Sequence, residues 1–403
     1  MDAAIVGSPA SGMAAPRRSH DGADDGMSAP SPMTSRQRIL AALHRQPVDR
    51  IPFVPLLDYY TLKDMPPDFP LDITEAARLL GCDLMLRHVP AMEASLVGIH
   101  LQFLGRFAPP VSVSSELTGD RLIETLTTPI GSLTGVWGFS DAVGWIPHPL
   151  KRAVNDYDEM KVFHYAVDHL STEPPAPDYD TFLRTDAAIG DDGIATASLG
   201  NSPLMYLIEM AWGIESTYYL LHDHREEVED ILAKLHASLR RQAEALAASP
   251  AQVVIQYENT SSTLLSPTVF RRYCLPYLNE YADILQGAGK VFLVHMCGKL
   301  KSFAADLAQA RFSGIADISP APTGDLPLDE AAAALPGKVV VGGIDATTFI
   351  NPDLEAVRAE VAGLIERVKG HPGVLLGSAD TTPRGTPVET FRLIRQLVDA
   401  AGP

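Results

Sequence analysis

Short runs of apolar residues, each bounded by polar residues, glycine or proline, recur along this chain from about residue 50 onward. Eight of them are candidate buried strands: Ile51–Val54, Leu84–Leu86, Ile194–Ala197, Val253–Gln256, Val291–Val294, Gly314–Ile318, Val339–Val341 and Val374–Leu376. Continuous apolar runs are typical of parallel strands that are covered on both faces. The last five begin roughly 20 to 40 residues apart, about the length of one strand–helix unit. The pattern predicts an α/β protein and favours a (β/α)8 TIM barrel, with an open doubly wound sheet as the alternative.

Helix-start signals support this alternation. Thr34 precedes an amphipathic segment, Arg36 to His44, which we predict as the first helix. Three further capping residues each precede a proline, which suits the first position of a helix: Ser266, Asn351 and Thr386.

The long gap between the second and third runs breaks the period. Within it, Val111–Ser115, Leu122–Thr127 and Gly131–Trp137 have the character of hairpin strands, with a turn signal at Pro129. We therefore predict a β-hairpin insertion after the second strand, belonging to the same domain.

Composition restricts the compartment and the partners. Residues 1–33 are rich in small and polar residues and are predicted as a disordered tail, which leaves residues 34–403 as one barrel domain. A formal net charge of -18 argues against nucleic-acid partners. No stretch approaches the ~20 apolar residues of a membrane span, so we expect no membrane association. The three cysteines are odd in number and far apart, which favours a reducing, cytoplasmic location.

The strongest chemical signal is His295-Met296-Cys297, at the end of the apolar run Val291–Val294. Residues i and i+2 of an extended segment point to the same side, so the imidazole and the thiol can face one point. A borderline-soft cation such as zinc suits this pair of ligands. A buried cysteine also serves as a small apolar filler, so the pair alone leaves the metal open.

Polar residues follow every predicted strand, and a barrel would gather them on one rim. Glu258 ends the strand before His295 and could complete a three-ligand zinc site, although a carboxylate there could instead cap a helix or form an ion pair. Asp345 and Asp380 are the candidate catalytic carboxylates. The candidate substrate-binding residues are Asp58, His88, Asn201, Tyr257 and Ser378.

From about residue 34 to 400 the chain resembles the uroporphyrinogen decarboxylase superfamily. That superfamily contains the tetrapyrrole decarboxylase and the zinc methyltransferases that take methyl groups from corrinoid proteins. The resemblance rests on six segments: Ser35–Leu40, Pro47–Pro52, Ser266–Pro276, His295–Gly298, Gly342–Asp345 and Leu376–Ser378. It implies a (β/α)8 barrel.

The resemblance is closer to the methyltransferase branch. The decarboxylase branch has an arginine-rich segment after the first strand, where this chain reads Val54–Tyr60 without arginine, and Asp83 lies at the wrong end of its strand to match the decarboxylase aspartate. The methyltransferase branch has His-x-Cys, a late cysteine and in some members a glutamate. His295, Cys297 and Glu258 match, whereas Ser378 replaces the late cysteine, and Asp380 could take its place.

The resemblance therefore implies a zinc-dependent methyltransferase. It would move a methyl group from a corrinoid carried on a separate protein to a small-molecule acceptor of the thiol or pterin type. In this interpretation Glu258, His295 and Cys297 hold zinc, Asp345 and Asp380 orient ligands or accept a proton, and the oligomeric state stays open. The alternatives are a carboxy-lyase of tetrapyrrole metabolism and a barrel that binds a ligand without catalysis.

Overall fold

Strands and helices alternate along a computed structural model that describes residues 32–92, 107–140, 148–171, 173 and 176–402. The strands in these residues are β1 Leu84–Leu86, β2 Ser112–Thr118, β3 Arg121–Thr128, β4 Gly131–Gly138, β5 His148–Lys151, β6 Gly193–Ala195, β7 Ala197–Leu199, β8 Val253–Tyr257, β9 Val291–His295, β10 Gly314–Ile318, β11 Val339–Ile344 and β12 Val374–Ser378. The α-helices are α1 Ser35–Leu43, α2 Tyr59–Lys63, α3 Ile73–Leu80, α4 Tyr157–Asp168, α5 Tyr179–Ile189, α6 Pro203–Tyr206, α7 Ile214–Asp223, α8 Arg225–Ala248, α9 Pro267–Tyr273, α10 Leu275–Gly287, α11 Ala304–Gln309, α12 Leu328–Ala334, α13 Ala346–Phe349, α14 Leu354–Val368 and α15 Val388–Ala401. Single turns of 3-10 helix lie at Gly190–Asp192 and Lys301–Phe303, and a π-helical turn lies at Leu207–Ala211.

The parallel strands form two sheets. Six strands pair in the order β12-β11-β10-β9-β8-β7, and β1 pairs with β6. Thr196 separates β6 from β7, and its backbone N–H donates to the carbonyl of Leu86 at 2.8 Å. The α/β fold with a parallel sheet is confirmed, whereas a continuous eight-stranded ladder is not seen among the described residues.

The first predicted strand, Ile51–Val54, is reduced to isolated bonds. Phe53 forms one parallel bridge with Leu376, and its carbonyl accepts from the backbone N–H of Asp83 at 2.8 Å. Two flanking prolines, Pro52 and Pro55, have no N–H to donate, so a regular ladder cannot form there. The segment nevertheless lies hydrogen-bonded between the end of the six-stranded sheet and the residue before β1.

Both faces of the six-stranded sheet are buried, as the continuous apolar runs predict. Along β9, Phe292 and Val294 belong to one apolar cluster, while Val291 and Leu293 belong to a second. The second cluster also includes Ile39 of α1. Alternate residues of a strand point to opposite faces, so the two clusters lie on the two sides of the sheet.

The predicted insertion is a four-stranded antiparallel sheet in the order β2-β3-β4-β5. Its first three strands fall on the segments predicted from the sequence. The fourth strand, β5, is irregular, because its pairing with β4 shifts register between Val136 and Trp137, and it was not predicted.

The helix-start predictions have mixed outcomes. Thr34 forms a capping box with Gln37 at the start of α1, and Ser266 caps α9. Two predicted caps are wrong. Asp353, not Asn351, caps α14, because Asn351 forms a turn that places the cap two residues later. The N-cap position of α15 is Pro387, which has no capping side chain, so Thr386 lies one residue too early to cap it; its hydroxyl donates to the carbonyl of Pro383 at 2.8 Å.

The predicted tail, residues 1–33, lies outside the described residues except for its last two. The backbone N–H of Met33 donates to Oδ2 of Asp49 at 2.9 Å. Among the described helices, none has both the length and the apolar character that crossing a bilayer requires.

Candidate metal centre

Three side chains at the carboxyl ends of two strands meet at one point. His295 ends β9, Cys297 lies two residues further, and Asp380 lies two residues beyond β12. One ligand atom from each residue lies within 4.8 Å of the other two. His295 is buried, while Cys297 and Asp380 are partly exposed. We call this group the His295–Cys297–Asp380 cluster.

The imidazole of His295 is held from behind by a buried ion pair. Nδ1 of His295 lies 2.5 Å from Oδ2 of Asp317, and the guanidinium of Arg87 forms a two-pronged ion pair with the same carboxylate. Burial alone would raise the pKa of Asp317, but the charge and hydrogen bonds of Arg87, with those of His295, hold that pKa well below its usual range. The ionised carboxylate fixes Nδ1 as the donor, which leaves Nε2 free to bind a ligand.

The position of Asp317 depends on an irregularity in β10. The pairing of β10 with β11 shifts register between Ile315 and Ile318, and Asp317 has a φ of 66°. A bulge of this kind redirects a side chain that regular alternation would point elsewhere. Aspartate tolerates the left-handed region better than most residues, since its short side chain bonds locally.

The thiol of Cys297 lies in an environment that disfavours its charged form. Burial raises the pKa of Cys297 far above its usual range, and the negative charges of Asp380 and Asp317 raise it further. Its Sγ lies 3.9 Å from Oδ1 of Asn259. A divalent cation at the cluster would supply the positive charge that a thiolate needs here.

Glu258, predicted as the third ligand, points away from this cluster. It is fully buried, and its two carboxylate oxygens accept from the hydroxyl of Ser202 at 2.6 Å and from the backbone N–H of Ser202 at 2.8 Å. The adjacent Tyr257 faces the cluster instead, with its ring 5.2 Å from that of His295. Burial raises the pKa of Glu258 to about 8, so its carboxyl is largely protonated at neutral pH.

Two of the predicted substrate-binding residues, Tyr257 and His88, lie beside the cluster, and a third, Asn201, donates to Oε2 of Glu209 at 2.8 Å. The ring of His88 stacks on Tyr257 with centroids 4.2 Å apart, and Nδ1 of His88 lies 3.1 Å from the hydroxyl of Ser198. Burial, with the nearby charges of Arg87 and His295, lowers the pKa of His88 to about 4. His88 is therefore a neutral side chain at physiological pH.

Three other predicted residues have local structural contacts. Asp58 caps α2 through the backbone N–H of Thr61, and Asp345 caps α13 through that of Thr347. The hydroxyl of Ser378 accepts from the backbone N–H of Leu56 at 2.9 Å. Any part that these three residues play in substrate chemistry stays a prediction.

Two acidic residues near the cluster were not among the predicted site residues: Asp317, described above, and Glu209. Glu209 lies in the π-helical turn, and its Oε2 accepts from the side-chain amides of Asn201 at 2.8 Å and Asn259 at 2.9 Å. Burial raises the pKa of Glu209 to about 7. The one sequence signal for Glu209 is a lone carboxylate inside an apolar run, Leu204 to Trp212.

Comparison with known proteins places these features in a family. Residues 180–401 match the family model described as uroporphyrinogen decarboxylase (URO-D). A solved structure of a methyltransferase from Methanosarcina mazei is similar in fold, with 15% identity and a TM-score of 0.57 over 91% of this chain and 99% of that one. A B12-independent methionine synthase from Shewanella sp. W3-18-1, in complex with selenomethionine, has 14% identity and a TM-score of 0.45 over 87% of this chain and 97% of that one. No curated protein matches the chain.

Proposed function

Since the chain belongs to the uroporphyrinogen decarboxylase family, we propose that it is a metal-dependent methyltransferase of that family. The observation that carries the proposal is the convergence of His295, Cys297 and Asp380 within 4.8 Å. We interpret the two parallel sheets, with the bonded Phe53 segment between them, as parts of a (β/α)8 barrel. The cluster lies at the carboxyl ends of its strands, where barrel enzymes keep their chemistry.

The donor set fits zinc. An imidazole, a thiolate and a carboxylate are three ligands of a catalytic zinc site, which keeps a fourth position open. The ligand atoms of a tetrahedral zinc site lie roughly 3–4 Å apart, so the separations in the cluster need only a small contraction. When bound, zinc would act as a Lewis acid that lowers the pKa of a thiol acceptor.

Neighbouring residues orient the ligands of the cluster or supply one of them. Asp317 presents Nε2 of His295, and Asp380 supplies an anionic oxygen where the related methyltransferases have a cysteine. The hydroxyl of Ser378 is directed to the backbone of Leu56. Two roles inferred from the resemblance remain part of the proposal: a thiol or pterin-type methyl acceptor, and a corrinoid on a separate partner protein as the donor.

The charges near the cluster disfavour a porphyrinogen, which carries several carboxylates. The two arginines described near the cluster are already engaged, because Arg87 pairs with Asp317 and Arg152 donates to the carbonyls of Glu209 and Met210. His88 is neutral. Recognition of carboxylates needs free cationic side chains, so a decarboxylase reaction is the weaker candidate.

Zinc content and methyl transfer test the proposal together. We expect the purified protein to bind about one zinc ion, with affinity reduced by a factor of about 10 or more in Cys297→Ser and Asp380→Asn. Cys82→Ser is the matched control, because Cys82 is a buried cysteine outside the cluster. Zinc content is measured by mass spectrometry, zinc affinity by competition with a chelator, and methyl transfer by the change in absorbance of methylcobalamin with a thiol acceptor.

Three outcomes would contradict the proposal. Unchanged zinc affinity in both Cys297→Ser and Asp380→Asn would show that the cluster is not the metal site. Release of carbon dioxide from uroporphyrinogen would identify a decarboxylase. Retention of a ligand without turnover of any methyl donor would indicate a barrel that binds without catalysis.

A further inference from the structure

Glu209 occupies an unusual backbone position beside the cluster. The turn Leu207–Ala211 is π-helical, and the backbone N–H groups of Trp212 and Gly213 both donate to the carbonyl of Leu207, at 2.8 and 3.1 Å. The side chain of Arg152 donates to the carbonyls of Glu209 and Met210 within this turn. Single π-helical turns are rare and frequently mark functional sites.

The carboxylate of Glu209 is oriented by two amides that leave one of its oxygens available. Asn201 and Asn259 both donate to Oε2, at 2.8 and 2.9 Å. In the part of the chain that the structure describes, no side-chain donor reaches Oε1. Asn259 also connects Glu209 to the cluster, because its Oδ1 lies 3.9 Å from Sγ of Cys297. Glu209 is thus fixed next to the proposed metal centre without being bonded to a ligand residue.

We infer that Glu209 is the catalytic base that takes the proton of a thiol substrate bound at the His295–Cys297–Asp380 cluster. The inference rests on the proposed function and narrows the methyl acceptor to the thiol class. The two amide donors keep Oε2 occupied, so Oε1 is the atom that receives the proton. A proton acceptor positioned within reach of a reacting group contributes about 10²–10⁴ in rate.

The proton transfer and the methyl transfer balance in two steps. First, the S–H bond of the acceptor breaks, the proton forms an O–H bond with Oε1 of Glu209, and the electron pair remains on sulfur. Second, that pair forms a bond to the methyl carbon, while the bond between the methyl group and its donor breaks and leaves its electron pair on the donor. Glu209 then releases the proton to solvent, which its half-buried position allows.

Several charged groups act on the ionisation of Glu209. Burial raises its pKa to about 7, whereas the amides of Asn259 and Asn201 and the charges of His295 and Arg152 act in the opposite direction. Glu209 and Glu258 also interact electrostatically, as do Glu209 and Cys297. At about pH 8 Glu209 is ionised and can accept a proton, while at about pH 6 it is already protonated.

Counting the protons released when a thiol binds tests this role without measuring turnover. Mercaptoethanol is titrated calorimetrically into the zinc-loaded protein in two buffers of different ionisation enthalpy, which together give the number of protons released. The pair is phosphate and Tris at the higher pH, and phosphate and Bis-Tris at the lower pH. At about pH 8 we expect about one proton from Glu209→Gln and fewer from the wild type, because the negative charge of the bound thiolate raises the pKa of Glu209 above about 7 and lets it keep part of the proton. At about pH 6 both proteins are expected to release about one proton.

Two further variants complete the experiment. Glu360→Gln removes an exposed carboxylate that bonds Thr348 and is expected to behave as the wild type. Glu209→Asp keeps the charge but withdraws the carboxylate by one methylene, so this variant is expected to release a number of protons between those of the wild type and Glu209→Gln. It also serves as the test variant if Glu209→Gln does not fold.

Equal proton release at about pH 8 from the wild type and the Glu209 variants would overturn the role of Glu209 while leaving the methyltransferase proposal intact. Failure of the wild type to bind zinc, or to bind the thiol when zinc is present, would overturn both.

Discussion

The ion pair behind His295 gives the sharpest prediction about the stability of this protein. The side chains of Arg87 and Asp317 are 2% and 1% exposed, and they pair through both nitrogens and both oxygens. Asp317→Asn keeps the shape of the side chain but removes its charge. The guanidinium of Arg87 then remains buried without a counter-charge, which destabilises a protein by about 3–5 kcal/mol.

The measurement is the free energy of unfolding in urea for the metal-free wild type and for Asp317→Asn, with the m-value checked for constancy. Arg87→Met and the double variant complete a double-mutant cycle. Because the double variant leaves no unpaired buried charge, we expect it to be less destabilised than the sum of the two single variants by about 1–3 kcal/mol.

The sign of the pH dependence follows from the pKa of Asp317. That pKa is depressed in the folded state, so the stabilisation is present above the unfolded value and is lost as the pH falls. The wild type should therefore lose more stability than Asp317→Asn below about pH 4.

Asp317 also determines how well the cluster binds zinc. Removing the carboxylate that orients a histidine ligand typically reduces metal affinity by about 10–100-fold, and we expect a reduction of this size in a competition titration. A loss of unfolding free energy below about 1 kcal/mol, together with unchanged zinc affinity, would refute the reasoning, because both effects depend on the same buried carboxylate.

Three further predictions concern single residues. A Cβ at Gly298 would lie 2.3 Å from Cβ of Ser261, so Gly298→Ala should displace the loop after Cys297 and lower the unfolding free energy in urea by about 1–3 kcal/mol. Asp83 is fully buried and pairs with Arg50, so Asp83→Asn should lower the unfolding free energy in urea by about 3–5 kcal/mol. A change within experimental error would contradict this. Glu258 has a pKa raised to about 8 in the folded state, so the metal-free wild type should lose stability, seen as a falling Tm, as the pH rises from about 5 to about 8. The Tm of Glu258→Gln should change less with pH over that range.

The sequence was informative about strands because a buried parallel strand needs apolar side chains on both faces. Five of the predicted runs, from Val253 onward, coincide with β8 to β12. The run Ile51–Val54 was predicted as a full strand, but Pro52 within it and Pro55 after it, both visible in the sequence, reduce it to isolated bonds. Two of the four predicted caps are wrong, because Asn351 forms a turn before α14 and because α15 begins one residue after the predicted start.

What the sequence determined by itself was local: the apolar runs, the cap at Thr34, and the i, i+2 spacing that turns His295 and Cys297 to one side. The tertiary structure decided which carboxylate joins them. Tyr257 and Glu258 are adjacent, so their side chains point in different directions: Tyr257 faces His295, whereas Glu258 bonds Ser202. Asp380, which joins the cluster, follows β12 and lies more than 80 residues further along the chain than His295. The relative positions of these side chains depend on strand register, on the bulge at Asp317 and on the π-helical turn at Glu209. The periodicity within a single segment does not predict these features, because each depends on packing between segments that are distant in the sequence.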